Sequence, residues 1–223
     1  MIGLNLKPAR AGGLQVLCLG AHSDDIEIGC GGTILRLAAE QPGCAFHWIV
    51  FSAKGEREGE ARRAAELFTK NANLQNLQMK HFPDGFLPFV GADVKAVFEE
   101  LKQNVTPDLV FTHNRKDAHQ DHRLLAELTW NTFRNHLVLE YEIPKYDGDL
   151  GQPNIFVPLE TDTCQQKVSS ILEAFRSQAN KHWFEESTFL SLMRLRGMEC
   201  GAASGYAEAF YARKLVLDPT GGI

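Results

Sequence analysis

The sequence has 223 residues, 44% of them hydrophobic and 23% charged, which is ordinary for a globular protein. This length is sufficient for a sizeable core, and we expect a single domain over residues 1–223. The formal net charge is −5 and no basic stripe is present, which argues against nucleic acid or an anionic membrane as the main partner. No apolar stretch is long enough to span a membrane. The five scattered cysteines form no CxxC pair, so we expect free thiols and a cytoplasmic protein.

Strand-like and helix-like segments alternate through the first two-thirds of the sequence. Apolar runs predict strands at 14–20, 45–51, 77–82, 108–113 and 137–143. Helical spacing of apolar residues predicts helices at 33–40, 58–70, 92–104 and 121–135. Strands separated by amphipathic helices are typical of βαβ units and a parallel sheet.

The last third of the sequence is less regular. We predict a strand at 154–159, helices at 161–178 and 188–196, and an extended segment at 206–217. Residues 144–153 contain two prolines, two glycines and two aspartates. This composition predicts a loop, which we expect to cover the functional site.

Two clusters of candidate metal ligands follow predicted strands. Ala21-His22-Ser23-Asp24-Asp25 comes after the first strand, and Asp117-Ala118-His119-Gln120-Asp121-His122 comes after the fourth. Ligands of parallel α/β sheets bind at the carboxyl ends of the strands. We therefore expect the two clusters to meet, despite their separation along the chain.

The two clusters contain the residue types of a catalytic zinc site. His22, Asp25 and His122 supply two imidazoles and a carboxylate, and such a site uses three protein ligands and keeps one position open for water. The ion lowers the pKa of that water to about 7, which makes hydroxide available at neutral pH. Asp24 is then free to act as the general base.

A second histidine of the later cluster is a candidate general acid. His119 lies one helical turn before His122, so the two side chains share a face if the helix begins early enough. We expect His119 to stabilise the developing oxyanion as an imidazolium, or to protonate the leaving group. Asp121 or Asp117 is expected to raise the pKa of His119 by pairing with it.

Each element also has a purely structural interpretation. Asp25 and Asp121 are of a type that often caps helices, and Gly31-Gly32 is a common turn. In the functional interpretation, the glycines at 29, 31 and 32 let the backbone pass close to metal and substrate. The conjunction of HxDD and HxDH, each just past a predicted parallel strand, favours a metal-dependent hydrolase.

These motifs resemble those of the LmbE-like, or PIG-L, N-acetylglucosaminyl deacetylases. The family hallmark AHPDDxExGxGG is matched by AHSDDIEIGCGG at 21–32, and its later HPDH element by HQDH at 119–122. Weaker matches cover most of the chain: the Arg-x-x-Glu-Ala helix at 57–67, the PD-V-T strand at 107–112, Ser177-Gln178 and Ala207-Glu208-Ala209-Phe210.

The resemblance implies a Rossmann-like three-layer α/β fold with a mostly parallel central sheet. It implies removal of an acetyl group from an N-acetylated amino sugar or sugar conjugate. Three positions match the ligands of one divalent ion, usually zinc: His22, Asp25 and His122. Ferrous iron accepts the same ligand types. The resemblance further implies that Asp24 is the general base and that His119 supports the oxyanion, with Asp121 adjusting the pKa of His119.

Two residues depart from the family pattern. Ser23 and Gln120 stand where proline is usual. Neither proline is a metal ligand in the family, so we expect the substitutions to leave the hydrolytic reaction possible. The hydroxyl of Ser23 is expected to contact either the substrate or a backbone turn.

Arg57 and Asp84 follow predicted strands on the active side, which makes them candidates for sugar contacts. In the alternative interpretation, Arg57 pairs with Glu60 or Glu27, and Asp84 only forms a turn in Pro83-Asp84-Gly85.

Two other functions compete with N-deacetylation. A metal-dependent esterase or amidase acting on an O-acetyl or non-sugar substrate would use the same site. A nucleotide-binding or regulatory module fits less well, because GxGxxG is missing and an acidic pair faces the place of a pyrophosphate. The expected partner is a small amino-sugar substrate, and a homo-oligomer is compatible with the sequence.

Overall fold

The computed structural model describes residues 3–6 and 12–216. In this part of the chain, one sheet contains seven strands: β1 Gln15–His22, β2 Ala45–Ser52, β3 Asn73–Met79, β4 Leu109–His113, β5 Leu137–Tyr141, β6 Ile155–Leu159 and β7 Tyr206–Ala212. The strand order is β3-β2-β1-β4-β5-β7-β6, and only β7 runs antiparallel to its neighbours. The predicted Rossmann-like α/β fold with a mostly parallel sheet is confirmed.

Helices cover both faces of the sheet. They are α1 Asp25–Glu40, α2 Glu56–Phe68, α3 Gly91–Asn104, α4 Gln120–Thr132, α5 Thr161–Ala174 and α6 Glu186–Cys200, with short 3₁₀ helices at Leu87–Val90 and Arg176–Gln178. One layer contains α1, α2, α5 and α6, and the other contains α3 and α4. No helix within 12–216 is both long and apolar enough to cross a membrane.

Strand β2 shows why the sequence reads as continuous apolar runs. Successive side chains of a strand point to opposite faces, and here both faces are buried. Phe46, Trp48 and Val50 pack into the core beneath α1 and α2. Ile49 and Phe51 pack into the smaller core beneath α3 and α4. A central strand of this kind has no polar face.

Several element boundaries differ from the sequence-based prediction. The first helix begins at Asp25 and not near Thr33, so it includes the glycine run. Strand β3 lies earlier than predicted, and the predicted helix 161–178 ends at Ala174 before a 3₁₀ turn. The last helix extends over Glu186–Cys200. Of the extended segment predicted at 206–217, the strand ends at Ala212, and residue 217 lies outside the described residues.

The glycines of α1 allow close packing against protein neighbours. A Cβ atom on Gly29 would lie 2.2 Å from Cδ2 of Tyr141, and one on Gly32 would lie 2.4 Å from Cδ1 of Leu159. At Gly31 the corresponding clash is with a phenylalanine ring of α2, at 2.5 Å. The prediction that these glycines make room for metal and substrate is therefore wrong. They make room for the strands and helix against which α1 packs.

A buried ion pair stabilises a break in α1. The helix is non-helical at Cys30, which frees backbone groups on either side. The carboxylate of Glu208 accepts the N–H groups of Gly32 and Thr33 at 2.8 and 2.7 Å. The ammonium of Lys167 donates to Glu208 at 2.6 Å and to a carbonyl of the preceding helical turn at 2.7 Å. Strand β7 and helix α5 thus cap the two halves of the helix that begins at the first cluster.

Replacing Glu208 tests this cap. Glu208→Ala leaves Lys167 buried without its carboxylate, and such losses cost about 3–5 kcal/mol in the free energy of unfolding. Glu40→Ala is the control, because Glu40 pairs with Arg36 at the surface and should cost less than about 1 kcal/mol. Urea unfolding of both variants measures the difference, and equal stabilities would contradict the proposed cap.

A pair of helical glycines gives a second test. Gly29→Ala should destabilise the fold by about 1–3 kcal/mol, because the new methyl group overlaps the Tyr141 ring. Gly59→Ala in α2 should be neutral or stabilising by up to about 1 kcal/mol, since its nearest obstacle is a flexible arginine side chain at 3.4 Å. In thermal unfolding, Gly29→Ala should lower the midpoint temperature, whereas Gly59→Ala should leave it unchanged or raise it; an equal decrease in both would contradict the role assigned to Gly29.

Candidate metal centre

The two predicted clusters lie together at one edge of the sheet. Strand β1 pairs with β4 in parallel, with Cys18 opposite Phe111, so both strands end at the same edge. The chain passes from β1 directly into α1, and from β4 through a short loop into α4. Side chains at the start of both helices therefore face one another. The sheet topology explains how residues distant in sequence become neighbours.

Three side-chain atoms form a nearly regular triangle. Nδ1 of His22 lies 3.2 Å from Nε2 of His122 and 3.2 Å from Oδ2 of Asp25. Nε2 of His122 lies 3.5 Å from the same carboxylate oxygen. Atoms that bind a tetrahedral zinc ion at about 2.0–2.2 Å are separated by about 3.3–3.6 Å. The donor types and their spacing fit a divalent ion such as zinc or ferrous iron.

Carboxylates orient both imidazoles from outside the triangle. Oδ2 of Asp117 lies 3.0 Å from Nδ1 of His122. Nε2 of His22 lies 3.3 Å from Oδ2 of Asp121 and 3.1 Å from Oδ1 of Asp84. A carboxylate that accepts the outer N–H of a histidine fixes its tautomer and leaves the inner nitrogen free for an ion.

The electrostatics of the triangle favour an ionised carboxylate. Burial opposes the charge on Asp25, but the surrounding imidazoles of His122, His113 and His22 outweigh it and hold the pKa of Asp25 well below its usual range. Burial likewise disfavours a charged His22, but Asp25 and the outer carboxylates raise the pKa of His22 well above its usual value. The pocket is thus built to hold positive charge.

Asp117 is a site residue whose main contact the sequence did not reveal. We expected its carboxylate to pair with the imidazole of His119, but it accepts the backbone N–H of His119 at 2.8 Å and bonds the His122 imidazole and the Lys145 ammonium at 3.0 and 2.9 Å. Burial would raise the pKa of Asp117, but these contacts hold it well below its usual range. Lys145 also pairs with Asp149, which accepts the N–H of the residue after Asp117 at 2.6 Å. The predicted loop 144–153 is therefore attached to the second cluster.

His113, the last residue of β4, was also missed. Its Nε2 lies 3.3 Å from Oδ2 of Asp25, and its ring stacks on His122 with centroids 3.9 Å apart. The same nitrogen accepts the N–H of Ala21 at 3.0 Å and lies 3.2 Å from the Tyr141 hydroxyl. An imidazole nitrogen has a single lone pair, and the N–H of Ala21 occupies that of His113 Nε2, so we assign His113 to the support of the site. Oδ2 of Asp25 accepts the N–H of His22 at 2.6 Å but keeps a second lone pair for an ion. Its position at the end of a strand of the active edge was the available signal.

Asp24 is buried beside the triangle and contacts Arg57. Its Oδ1 accepts a hydrogen bond from Nη2 of Arg57 at 2.8 Å. Burial raises the pKa of Asp24, which the guanidinium of Arg57 opposes and the neighbouring Asp25 reinforces. Arg57 thus pairs with an aspartate of the first motif, and not with Glu60 or Glu27 as the alternative interpretation held. Asp24 precedes α1 but makes no side-chain cap.

His119 is the N-cap residue of α4. Its Nδ1 accepts the N–H of Asp121 at 3.2 Å, which places the ring proton on Nε2. The ring lies edge-on to His22 at 4.9 Å and tilted to His122 at 4.6 Å. Burial lowers the pKa of His119, and the two other imidazoles add to this. The contacts favour a neutral imidazole that presents Nε2–H, in contrast to the imidazolium that we expected from the sequence.

Asp121 supports a neighbouring loop, residues 80–90, which joins β3 to α3. Its carboxylate accepts the N–H of Gly85 at 2.8 Å and that of Leu87 at 3.1 Å, in addition to facing His22. Its side chain therefore bonds this loop, whereas its backbone N–H bonds His119. Gln120, at the place of a family proline, donates to the carbonyl of Gly85 at 2.9 Å. The second motif thus fixes both the triangle and the loop beside it.

The remaining candidates for substrate contact differ in accessibility. The side chain of Asp84 is 73% exposed while its carboxylate reaches His22. Ser23 is buried, and its hydroxyl has no hydrogen-bond partner among the described residues. Arg57 is partly exposed beside Asp24. Asp84 and Arg57 therefore lie where a ligand can reach them, whereas Ser23 does not.

A family model described as GlcNAc-PI de-N-acetylase, PIG-L, matches residues 17–133, which is more than half of the chain. The chain belongs to the PIG-L family. The matched region runs from within β1 to the end of α4, and so includes every corner of the triangle. A curated relative is the uncharacterized deacetylase YaiS of Escherichia coli K12. It is 28% identical over 142 residues, which cover 58% of this chain and 74% of YaiS.

Solved structures share the fold. The conserved protein TT1542 from Thermus thermophilus has a TM-score of 0.74 and 24% identity, over 92% of this chain and 98% of that one. The N,N'-diacetylchitobiose deacetylase from Pyrococcus horikoshii has a TM-score of 0.69 and 21% identity, over 90% and 84%. GalB from Pseudomonas putida KT2440, a 4-carboxy-2-hydroxymuconate hydratase, has a TM-score of 0.73 and 19% identity, over 92% and 98%. The fold therefore supports more than one reaction.

The contact between Asp117 and His122 predicts an effect on metal affinity. Removing a carboxylate that orients a ligating histidine typically costs about 10- to 100-fold in affinity, so Asp117→Asn should weaken zinc binding by that factor. His122→Ala should weaken it further. Asp93→Asn, an exposed aspartate of α3, is the control. Competition with a zinc chelator measures all three, and wild-type affinity in both site variants would exclude this ligand set.

Proposed function

We propose that this chain is a metal-dependent deacetylase that removes the acetyl group from an N-acetylated amino sugar or sugar conjugate. The observation that carries the proposal is the ligand triangle with two further groups beside it: the carboxylate of Asp24 and the Nε2–H of His119. Membership of the PIG-L family and the names of its relatives agree with this chemistry.

The metal chemistry is assigned to the triangle. A divalent ion held by His22, Asp25 and His122 would polarise the acetyl carbonyl as a Lewis acid and lower the pKa of a water molecule. Zinc suits two imidazoles and one carboxylate, and ferrous iron accepts the same set. The outer carboxylates of Asp117 and Asp121 hold the two imidazoles in the orientation that this requires.

Asp24 is the proposed general base. Arg57 engages its Oδ1, which fixes the carboxylate and leaves Oδ2 to accept a proton from the attacking water. The burial that raises the pKa of Asp24 makes the carboxylate a stronger base. The same oxygen then returns the proton to the amine that leaves. One residue therefore moves the proton in both halves of the reaction.

His119 is the proposed oxyanion donor. Its Nε2–H is available, since Nδ1 is occupied by the N–H of Asp121. A neutral donor held at a helix N-terminus stabilises negative charge on the acetyl oxygen as it develops. Accepting a second proton at Nδ1 would break the bond to the backbone. We therefore assign the protonation of the leaving amine to Asp24.

A substrate panel tests the reaction class. Metal-loaded protein is incubated with N-acetyl sugars, O-acetyl sugars and 4-carboxy-2-hydroxymuconate, and acetate, free amine and hydration are measured. Acetate together with a free amine supports the proposal. Acetate released only from O-acetyl sugars would establish an esterase, and hydration without acetate release would establish the chemistry that is named for GalB.

Asp24→Asn separates catalysis from metal binding. The substitution keeps the shape of the side chain but removes the base, so kcat should fall by about 10²- to 10⁴-fold while one divalent ion per chain is retained. Asp162→Asn, on the exposed face of α5, is the matched control and should keep full activity. Elemental analysis and steady-state kinetics give the two readouts. A kcat close to wild type would show that Asp24 is not the base.

A further inference from the structure

Two exposed aromatic rings lie next to the proposed active site. Phe89 is 79% exposed and Phe86 is 57% exposed, and their ring centroids are 5.7 Å apart. Single exposed apolar side chains are common on protein surfaces, such as Met198 on α6. A contiguous pair beside a site is different, because clustered exposed apolar surface is typical of binding sites.

The loop that carries the rings is fixed to the site. Asp121 accepts the N–H groups of Gly85 and Leu87, and Gln120 donates to the carbonyl of Gly85. The side chain of Leu87, between the two phenylalanines, is fully buried. The anchoring residues belong to the second motif. The backbone that carries the rings is therefore held at a set place relative to the ligand triangle.

The same loop has a polar end at the triangle. The carboxylate of Asp84 lies 3.1 Å from Nε2 of His22. Phe86 follows two residues later, which places its Cα within about 7 Å of that of Asp84. The loop thus presents an acceptor for sugar hydroxyl groups at the site and an apolar surface immediately beyond it. A ligand with a polar sugar and an adjoining apolar group matches this arrangement of a polar residue followed by apolar ones.

We propose that Phe86 and Phe89 form a subsite for an apolar alkyl or aryl group attached to the amino sugar. The inference rests on the proposed function, and it narrows the substrate class to conjugates that have such a group. The substrate is the favoured occupant because the segment that carries the rings also carries Asp84, whose carboxylate lies 3.1 Å from Nε2 of His22.

A series of glycosides tests the subsite. Metal-loaded wild type is assayed with the methyl, phenyl and hexyl glycosides of N-acetylglucosamine, and acetate release is followed. Burial of a phenyl or hexyl group should raise kcat/KM about 10- to 100-fold over the methyl glycoside, mainly through KM. In the double variant Phe86→Ala/Phe89→Ala this preference should fall to about threefold or less, with the rate on the methyl glycoside unchanged.

Two further variants separate binding from structure. Phe86→Leu/Phe89→Leu keeps an apolar surface and should keep most of the preference. Met198→Ala removes an exposed apolar side chain from α6 and should change nothing. Sedimentation at the assay concentration compares the oligomeric states of the wild type and the alanine double variant. If the rings form a substrate subsite, the two proteins should have the same oligomeric state.

The outcomes distinguish the subsite from the proposed function. Equal kcat/KM for all three glycosides in the wild type overturns the subsite while deacetylation stands. An equal loss on all three in the alanine double variant assigns the rings to loop structure, which also overturns it. A wild-type oligomer that the double variant abolishes assigns them to a second copy. Release of acetate from none of the N-acetyl sugars refutes the proposed function, and the subsite falls with it.

Discussion

Parallel pairing of β1 with β4 brings the carboxyl ends of two strands that are distant in sequence to one edge of the sheet. Both motif-bearing helices begin at that edge, so His22 and Asp25 meet His122 without any contribution from a long loop. The backbone hydrogen bonds of two central strands, buried on both faces, set the ligand positions. Sites that depend on rigid elements keep their geometry better than sites built on loops.

Buried carboxylates near this edge of the sheet are paired with cationic side chains in two places. At the site, Arg57 and Lys145 accompany Asp24 and Asp117, so these two carboxylates are not left alone in a poorly solvated pocket. Behind the site, the Lys167–Glu208 pair satisfies the backbone groups at the break in α1. Glu208 of the C-terminal strand β7 thus acts on the first motif through hydrogen bonds to its helix.

The strands and the meeting of the two motifs could be predicted, because apolar runs and the topology of parallel sheets determine both. The start of α1 could not, since glycines at 29, 31 and 32 resemble a helix breaker. Their role depends on Tyr141 and Leu159, which only the folded structure brings near. The contacts of Asp117 with His122 and of His113 with Asp25 could not be predicted, because they depend on side-chain direction, which spacing along the chain does not specify.

The ligand triangle combines His22 and Asp25, at the end of β1 and the start of α1, with His122 of α4, which follows β4. Binding of the proposed ion would therefore be linked to the completion of the fold. A chain in which β4 has not yet paired presents His22 and Asp25 but lacks His122, so its affinity for an ion is that of an incomplete site. By thermodynamic linkage, an ion that prefers the complete triangle stabilises the state in which the two strands are paired. The ion would then act as a cross-link between two distant segments of the chain, one that forms only when the centre of the sheet has closed.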